Sequence, residues 1–348
     1  MLRELPGCLG RGHYACVRLA GSFVGALVAT VALGGCMRPS TVRALPPPPV
    51  EVAPVAPAPA PAPPPAEAPT APPPVPPAPP TPPRPQLPLG GRELFPAYRL
   101  VGFCGTPGGP ALGRLAGDLA KRAREIDALG QKYAKDRKAL PVFELIAVVV
   151  QGVPGGDGKW RRRVPDSVVD EYLAAARAAH GILLLNVQPG QSDFLDELKH
   201  FEKYLREPDV GVALDPEWAM KPKQKPGVYW GLVTGKTISA VAAYLSGLIQ
   251  ESDLPEKALV FHQVNGYVLS GEADIKAAPG VVVIKSVDGL GPKGAKIHTY
   301  NYLVKTLTEV VHPGFKLFFD EDTTNGSKLM TPDEVLSLAP EPEYVMYE

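Results

Sequence analysis

The chain has 348 residues, and its 36 Lys and Arg residues are balanced by 36 Asp and Glu residues, so its formal net charge is zero. No basic stripe stands out in the globular part, so we do not expect nucleic acid as a partner. Composition divides the chain into three predicted segments, 1–35, 36–91 and 92–348.

The first segment has the form of an export signal. Arginines at positions 3, 11 and 18 precede an apolar stretch at 19–33. This stretch is too short to span a bilayer comfortably, since a spanning helix needs about 20 apolar residues. A charged region followed by a short apolar region is typical of a cleaved signal peptide, which we predict for 1–35.

The apolar stretch ends in Leu33-Gly34-Gly35-Cys36, which resembles the bacterial lipobox. The resemblance implies cleavage before Cys36 and acylation of its sulfur, so that lipid chains hold the mature protein on a membrane. Met37 follows in place of the Asp associated with inner-membrane retention, which favours outer-membrane sorting where an outer membrane exists. The alternative is an ordinary signal peptide with an incidental Cys.

The second segment is dominated by Pro and Ala between residues 39 and 89. Proline fixes φ and lacks an N–H group, so we predict an extended, disordered spacer that holds the folded domain away from the membrane. A ligand for a proline-binding domain is the alternative. Cys8 and Cys16 would leave with the signal, so Cys104 would be the only thiol of the folded domain, which then has no internal disulfide.

The third segment contains eight short apolar runs that predict strands. The runs are continuous rather than alternating, as expected for strands that are covered on both faces. They lie at 98–103, 142–150, 182–187, 210–214, 258–261, 281–284, 315–319 and 344–347.

Helical patterns separate most of these runs. We predict helices at 110–129, 165–177, 193–205, 237–250, 293–310 and 331–338, and an irregular connection at 272–277. Thr331-Pro-Asp-Glu334 has the form of a capping box. Eight strands that alternate with helices predict a (β/α)₈ TIM-like barrel. An open doubly wound sheet is the alternative, although no convincing G-x-G-x-x-G turn is present.

In such a barrel the loops after the strands form the functional face. The fourth run ends in Asp215-Pro216-Glu217-Trp218. On a strand, residues i and i+2 point to the same side, so we expect the two carboxylates to share one face. Paired carboxylates beside an aromatic ring are typical of acid–base chemistry on a sugar. A non-catalytic cluster, or a salt bridge to Lys285 or Lys316, is the alternative.

The segment from Gly211 to Glu217 resembles the D-G-x-D-x-D-x-E motif that chitinase-like family-18 glycoside hydrolases carry at the end of strand four. Gly211, Asp215 and Glu217 match the motif, whereas Ala213 replaces one of its acids. The resemblance implies that Glu217 is a general acid. The domain also resembles uncharacterised exported lipoproteins with glycosidase-like barrels, which share Leu-Asp-Pro-Glu-Trp at 214–218 and the acidic end of strand seven at 315–322.

Other polar residues follow the predicted strands. Asp288 and Asp320 are candidates for a catalytic base or nucleophile across the barrel mouth, and Asn186, His262 and Gln263 are candidate substrate contacts. A purely structural role, which is the commoner one for a lone histidine, is the alternative for His262. Neither HxH, HxxxH nor HExxH spacing occurs, so no metal site and no cofactor are predicted.

The aromatic residues of the predicted rim are candidate platforms for sugar rings. They are Trp160 after strand two and Trp218, Tyr229 and Trp230 after strand four. Their alternative role is to pin long loops to the barrel.

The sequence therefore predicts an exported, lipid-anchored glycoside-hydrolase-like protein that acts on a cell-envelope or environmental polysaccharide, such as peptidoglycan. A non-catalytic, glycan-binding envelope lipoprotein is the main alternative, and Ala213 supports it. A hydrolase of peptides or esters is disfavoured, because no nucleophile constellation is recognisable.

Overall fold

The computed structural model describes residues 83–348, which contain eight parallel strands in one closed sheet. Each of these strands pairs with the one before it and the one after it in sequence. The last strand, β8, pairs with the first, β1, and this closes the ring. The strands are β1 (Tyr98–Gly105), β2 (Lys138–Val150), β3 (Ile182–Val187), β4 (Val210–Leu214), β5 (Lys257–Gln263), β6 (Val281–Val287), β7 (Val311–Leu317) and β8 (Tyr344–Tyr347). The (β/α)₈ barrel is confirmed, and the open doubly wound sheet is excluded.

Helices cover the outside of the barrel. They are α1 (Leu119–Tyr133), α2 (Asp166–Ala178), α3 (Phe194–His200), α4 (Glu202–Leu205), α5 (Gly235–Ser252), α6 (Lys293–Leu303) and α7 (Pro332–Leu336). Thr331 and Glu334 form the predicted capping box. The predicted helix at 110–129 is wrong in its first half, because Gly113 and Gly117 have φ of 106° and 73°, outside the helical region. After β5 only the short 3₁₀ helix Glu272–Asp274 forms, as the irregular pattern predicts.

Two apolar clusters hold the barrel together. One lies between the strands and the helices, and the other fills the barrel interior with side chains such as Leu140, Leu184 and Val260. Leu87 and Leu94 belong to the interior cluster, and Arg84 pairs with Asp253 at the surface. Residues from Arg84 onward thus pack on the barrel, ahead of the predicted domain start at 92.

The predicted export signal at 1–35, the lipidated Cys36 and most of the spacer at 36–91 lie outside the described residues, and they stay predictions. Among the helices of residues 83–348, none has the length and apolar character required to cross a bilayer.

Lys257 begins β5 at the end of the barrel opposite the functional loops. Its side chain is 2% exposed, and Nζ donates to the carbonyl oxygens of Glu207 (2.5 Å) and Val210 (2.8 Å). Burial lowers the pKa of Lys257 to about 7, although Asp209 and Glu207 oppose the shift. The ammonium is therefore satisfied by backbone carbonyls but remains costly to charge.

We predict that the stability of the wild type relative to Lys257→Met rises with pH. The folded-state pKa is about 7 and the unfolded one about 10.4, so between these values the unfolded chain binds more protons. The slope of the difference in unfolding free energy should approach ~1.4 kcal/mol per pH unit, measured by urea denaturation. Lys305→Met, at an exposed lysine, is the control and should give a flat difference. A flat difference for Lys257→Met would contradict the prediction.

Candidate functional site

The segment that follows β4 positions the predicted carboxylate pair. The strand ends at Leu214, and Pro216–Trp218 forms a 3₁₀ helix. The expected i, i+2 arrangement on a strand is therefore wrong. Pro216 cannot donate to a sheet ladder, and its fixed φ suits the first position of a helix. Asp215 thus lies at the helix start, and Glu217 lies within the turn.

Two amides hold Asp215 at the barrel mouth. Its Oδ1 accepts from Asn186 Nδ2 and its Oδ2 accepts from Gln188 Nε2, each at 3.0 Å. The side chain is 5% exposed, and burial raises its pKa. Asn186 is thereby a positioning residue, whereas Gln188 is a contact that the sequence prediction missed. Its place two residues after Asn186, just beyond the end of the same strand, is the signal that could have identified it.

Glu217 is buried at 8% exposure, and its Oε2 has no hydrogen-bond partner among the described residues. Burial raises its pKa well above the usual value, and the negative charges of Asp215 and Asp288 raise it further. Asp215 has two amide donors and Glu217 Oε2 has none, so the proton of this coupled pair resides on Glu217. The site therefore contains a carboxylic acid beside a carboxylate.

His262 lies at the centre of the polar cluster. Nδ1 is 2.8 Å from Asp288 Oδ2, and Nε2 is 3.0 Å from Glu144 Oε1, an ion-pair distance without a directed hydrogen bond. Burial favours neutral imidazole, but the two carboxylates outweigh it and raise the pKa of His262 well above its usual value. The ring is fully buried, so it is placed as a fixed cation and not as a substrate contact.

Asp288 is engaged through both oxygens. Oδ1 accepts from the Ser286 hydroxyl at 2.6 Å, and Oδ2 lies 3.4 Å from Lys316 Nζ in addition to its His262 contact. Burial disfavours its charged form, but His262 and Lys316 prevail and lower its pKa. Asp288 therefore belongs to the cluster as an ionised anchor, with less freedom than a base or nucleophile requires.

Glu144 and Lys316 complete the cluster, and neither was predicted from the sequence to have a functional role. Glu144 accepts from Asn186 Nδ2 (3.0 Å) and from the Tyr344 hydroxyl. Burial disfavours the charged form of Glu144, but the neighbouring groups, His262 above all, outweigh this effect and lower its pKa to about 2. The sequence signal that could have identified Glu144 is its place as the one acidic residue within an apolar strand. Of the two lysines considered as salt-bridge partners, Lys316 contacts Asp288 and Glu348, and Lys285 pairs with Glu272.

Asp320 is exposed and is not brought to this cluster. It lines a cavity of about 270 Å³ together with Arg114 and Glu348. Gln263 is buried, its Nε2 donates to the carbonyl of Asn265 at 3.2 Å, and its Oε1 has no partner among the described residues. Among the described residues, neither side chain forms a hydrogen bond or an ion pair with Asp215 or Glu217.

The aromatic candidates divide by exposure. Trp160 and Trp218 are half-buried, whereas Tyr229 and Trp230 are 52% and 48% exposed. The exposed pair adjoins Glu217, because Gly231 N–H donates to the Glu217 carbonyl oxygen at 2.7 Å. The segment that carries the two exposed rings is thus bonded through its backbone to the turn that carries the buried acid.

Comparisons with known proteins do not identify a family for this chain. No protein-family model matches the chain, and no curated protein matches it. Among solved structures, a GH18 chitinase from Pseudoalteromonas aurantia is similar at 12% identity and a TM-score of 0.38. The match covers 71% of this chain and 93% of that one. A similarity of this size carries no information about activity. Within residues 83–348, no group of three or more His, Cys, Asp and Glu residues is arranged to hold a metal ion.

We predict that His262→Gln strongly destabilises the fold. The substitution leaves Glu144 and Asp288 buried without the cation between them, and removal of one partner from a buried ion pair costs about 3–5 kcal/mol. Urea unfolding at pH 7 measures the change. His298→Gln, at an exposed histidine, should change stability by less than ~0.5 kcal/mol. Equal effects of the two substitutions would show that the central cation is dispensable.

Proposed function

We propose that this chain is a glycoside-hydrolase-like protein that cleaves a cell-envelope or environmental polysaccharide. The observation that supports it most is Glu217, a buried acid with a strongly raised pKa and an unpartnered oxygen at the carboxyl end of a barrel strand. Glycosidases need one protonated and one ionised carboxyl group at the scissile bond.

In this proposal Glu217 donates its proton to the glycosidic oxygen as the bond to the leaving sugar breaks. A water molecule then adds to the anomeric carbon and returns a proton to the Glu217 carboxylate, so that the acid is regenerated. Asp215, held in place by its two amide donors, stabilises the positive charge that develops at the anomeric carbon. Asp288 keeps His262 and Lys316 oriented and adds negative charge that favours the protonated form of Glu217. Asp320 is placed apart from these groups and takes no part.

We also propose that Cys36 is lipidated and that the Pro-rich spacer holds the barrel away from the membrane surface. Support for this part comes from the sequence at 19–89 alone. It would place the barrel mouth among envelope polymers such as peptidoglycan.

A non-catalytic glycan-binding protein is the second candidate. Ala213 is fully buried in the barrel interior, where the family-18 motif carries a carboxylate, so one acid of that motif is missing. A protein that kept the barrel and the exposed rings but lost turnover would bind glycans without cleaving them.

We predict that Glu217→Gln in the full chain reduces turnover of the polysaccharide it cleaves by about 10²–10⁴-fold, because an amide cannot supply the proton. The screen measures release of reducing sugar from peptidoglycan, chitin and β-glucans. For the wild type, kcat/KM should decrease as Glu217 loses its proton, at a pH well above 4.5.

Glu309→Gln is the matched control, since Glu309 is exposed and lies outside the cluster. It should retain wild-type turnover. Undiminished turnover in Glu217→Gln would remove this residue from the acid role. Glycan binding without turnover by the wild type would favour the non-catalytic candidate.

We predict a different kinetic effect for the exposed rings. Trp230→Ala should raise KM about three- to tenfold and leave kcat nearly unchanged, because a lost stacking surface weakens binding in the ground state and transition state alike. Trp230→Phe retains a ring and should restore most of the affinity. An effect of Trp230→Ala on kcat alone would contradict the assignment of this residue to binding.

A further inference from the structure

Three loops at the carboxyl ends of β2, β3 and β4 are bonded into one surface. Gln191 joins them, because its backbone N–H donates to the Lys159 carbonyl (2.7 Å) and its Nε2 donates to the Gln224 carbonyl (2.7 Å). Gly190 has φ of 58°, and a Cβ there would lie 2.4 Å from the Lys159 carbonyl oxygen. Only glycine fits this close approach, so the three loops are held in a defined arrangement.

This surface gathers exposed cations that are scattered in sequence. We name it the basic rim and define it as Lys159, Arg162, Lys221, Lys223 and Lys225, all of which are exposed. Within residues 83–348, no carboxylate forms an ion pair with any of the five. A net charge of zero for the whole chain therefore conceals a local positive surface.

The two arginines on either side of Arg162 both form ion pairs with carboxylates of the protein, whereas Arg162 forms none with the residues that the structure describes. Arg161 pairs with Asp157 (2.5 Å) and Glu197 (2.7 Å), and Arg163 pairs with Glu197 (2.6 Å). Both arginines are thereby satisfied within the protein. Arg162, between them, points to the other side of the short strand Arg161–Arg163 and is left without such a partner among the described residues.

The register of that strand directs Arg162 to the barrel mouth. It pairs antiparallel with β2, and Arg162 lies opposite Val149. Opposed residues in an antiparallel pair share a face. A register shift between Ile146 and Val148 turns Val149 inward, where it joins the interior cluster. Arg162 thus shares a face with the inward Val149. It also lines a cavity of about 430 Å³ that Gln151, Asp157 and the two paired arginines line as well.

A short hydrogen-bonded path connects Arg162's strand to the carboxylate pair. The backbone N–H of Val150, at the end of β2, donates to Gln188 Oε1 at 3.1 Å. Gln188 Nε2 in turn donates to Asp215 Oδ2 at 3.0 Å. The basic rim therefore borders the same mouth as Asp215 and the exposed Tyr229 and Trp230.

We propose that Arg162 is a specificity residue that binds an anionic group, carboxylate or phosphate, on an acidic polysaccharide lying across the barrel mouth. The inference rests on the proposed function, since it names the substrate class of that site. A guanidinium presents paired donors that match the oxygens of carboxylate and phosphate, and the lysines add longer-range attraction along a charged polymer. A neutral glycan would leave all five cations unused.

Binding of the full chain to four immobilised polymers tests this. Polygalacturonate offers carboxylates, poly(glycerol phosphate) offers phosphates, neutral galactan offers neither, and single-stranded DNA is a polyanion without the glycan. We expect binding to one or both acidic glycopolymers that falls steeply with added salt, and the tighter of the two identifies the anionic group. Arg162→Gln should weaken that binding about tenfold.

Arg124→Gln is the matched control, because Arg124 is exposed on α1, away from the loops of the mouth. It removes the same charge and should weaken binding less than about twofold if the effect is local. Equal weakening by both substitutions would overturn the proposal, as would equal affinity for galactan, DNA binding as tight as that of the acidic glycopolymers, or no binding to either of them.

Repeating the titration with Glu217→Gln separates this inference from the proposed function. Arg162-dependent binding to an acidic polymer without turnover by the wild type would keep the inference and reject catalysis. Turnover of a neutral glycan, unaffected by Arg162→Gln, would keep catalysis and reject the inference.

Discussion

A buried positive charge at the centre of the barrel is the constraint on which the rest of the site depends. Closure of eight strands removes the interior from water, and a carboxylate placed there needs a cation or several donors. The His262 imidazolium lies between Glu144 of β2 and Asp288 beyond β6. Because β2 and β6 are four strands apart in a ring of eight, one ring connects opposite walls of the barrel.

This arrangement also determines where the remaining proton resides. His262 and Lys316 stabilise the charges of Glu144 and Asp288, so both of those carboxyl groups are ionised at neutral pH. Asp215 receives two amide hydrogen bonds, whereas Glu217 has an oxygen without a donor among the described residues. Ionisation of Glu217 would add negative charge beside Asp215 and Asp288 in a buried place. The acid character of Glu217 therefore follows first from its burial and then from the negative charge of its neighbours.

The sequence was informative about the barrel and less so about its interior. Continuous apolar runs predicted all eight strands, because strands covered on both faces must be apolar throughout. The start of β7 was missed, since His312-Pro313-Gly314 has the composition of a turn although it pairs with β6. Helix α1 begins later than predicted, because Gly113 and Gly117 have positive φ values and lie outside the helical region.

The site itself required the fold. Glu144 is one acid in a strand of thirteen residues, and nothing in the local pattern shows that its side chain meets His262, more than a hundred residues away. Asp215 and Glu217 were predicted from their spacing, but Pro216 places them in a 3₁₀ turn instead of a strand. Residue type indicated the chemistry here, whereas register and barrel closure decided which carboxyl groups meet.

The two ends of the barrel treat their cations differently. At the end of the barrel opposite the functional loops, Lys257 donates to two backbone carbonyl groups. Arg177 forms two hydrogen bonds to Asp209 there. At the mouth, Arg161 and Arg163 are paired in the same way, but Arg162 between them is not paired with any described carboxylate. A tripeptide that satisfies two guanidinium groups and exposes the third directs that third group to something other than the protein. An exposed, unpaired arginine contributes almost nothing to the stability of the fold, and in our proposal the charge of Arg162 serves to bind the substrate.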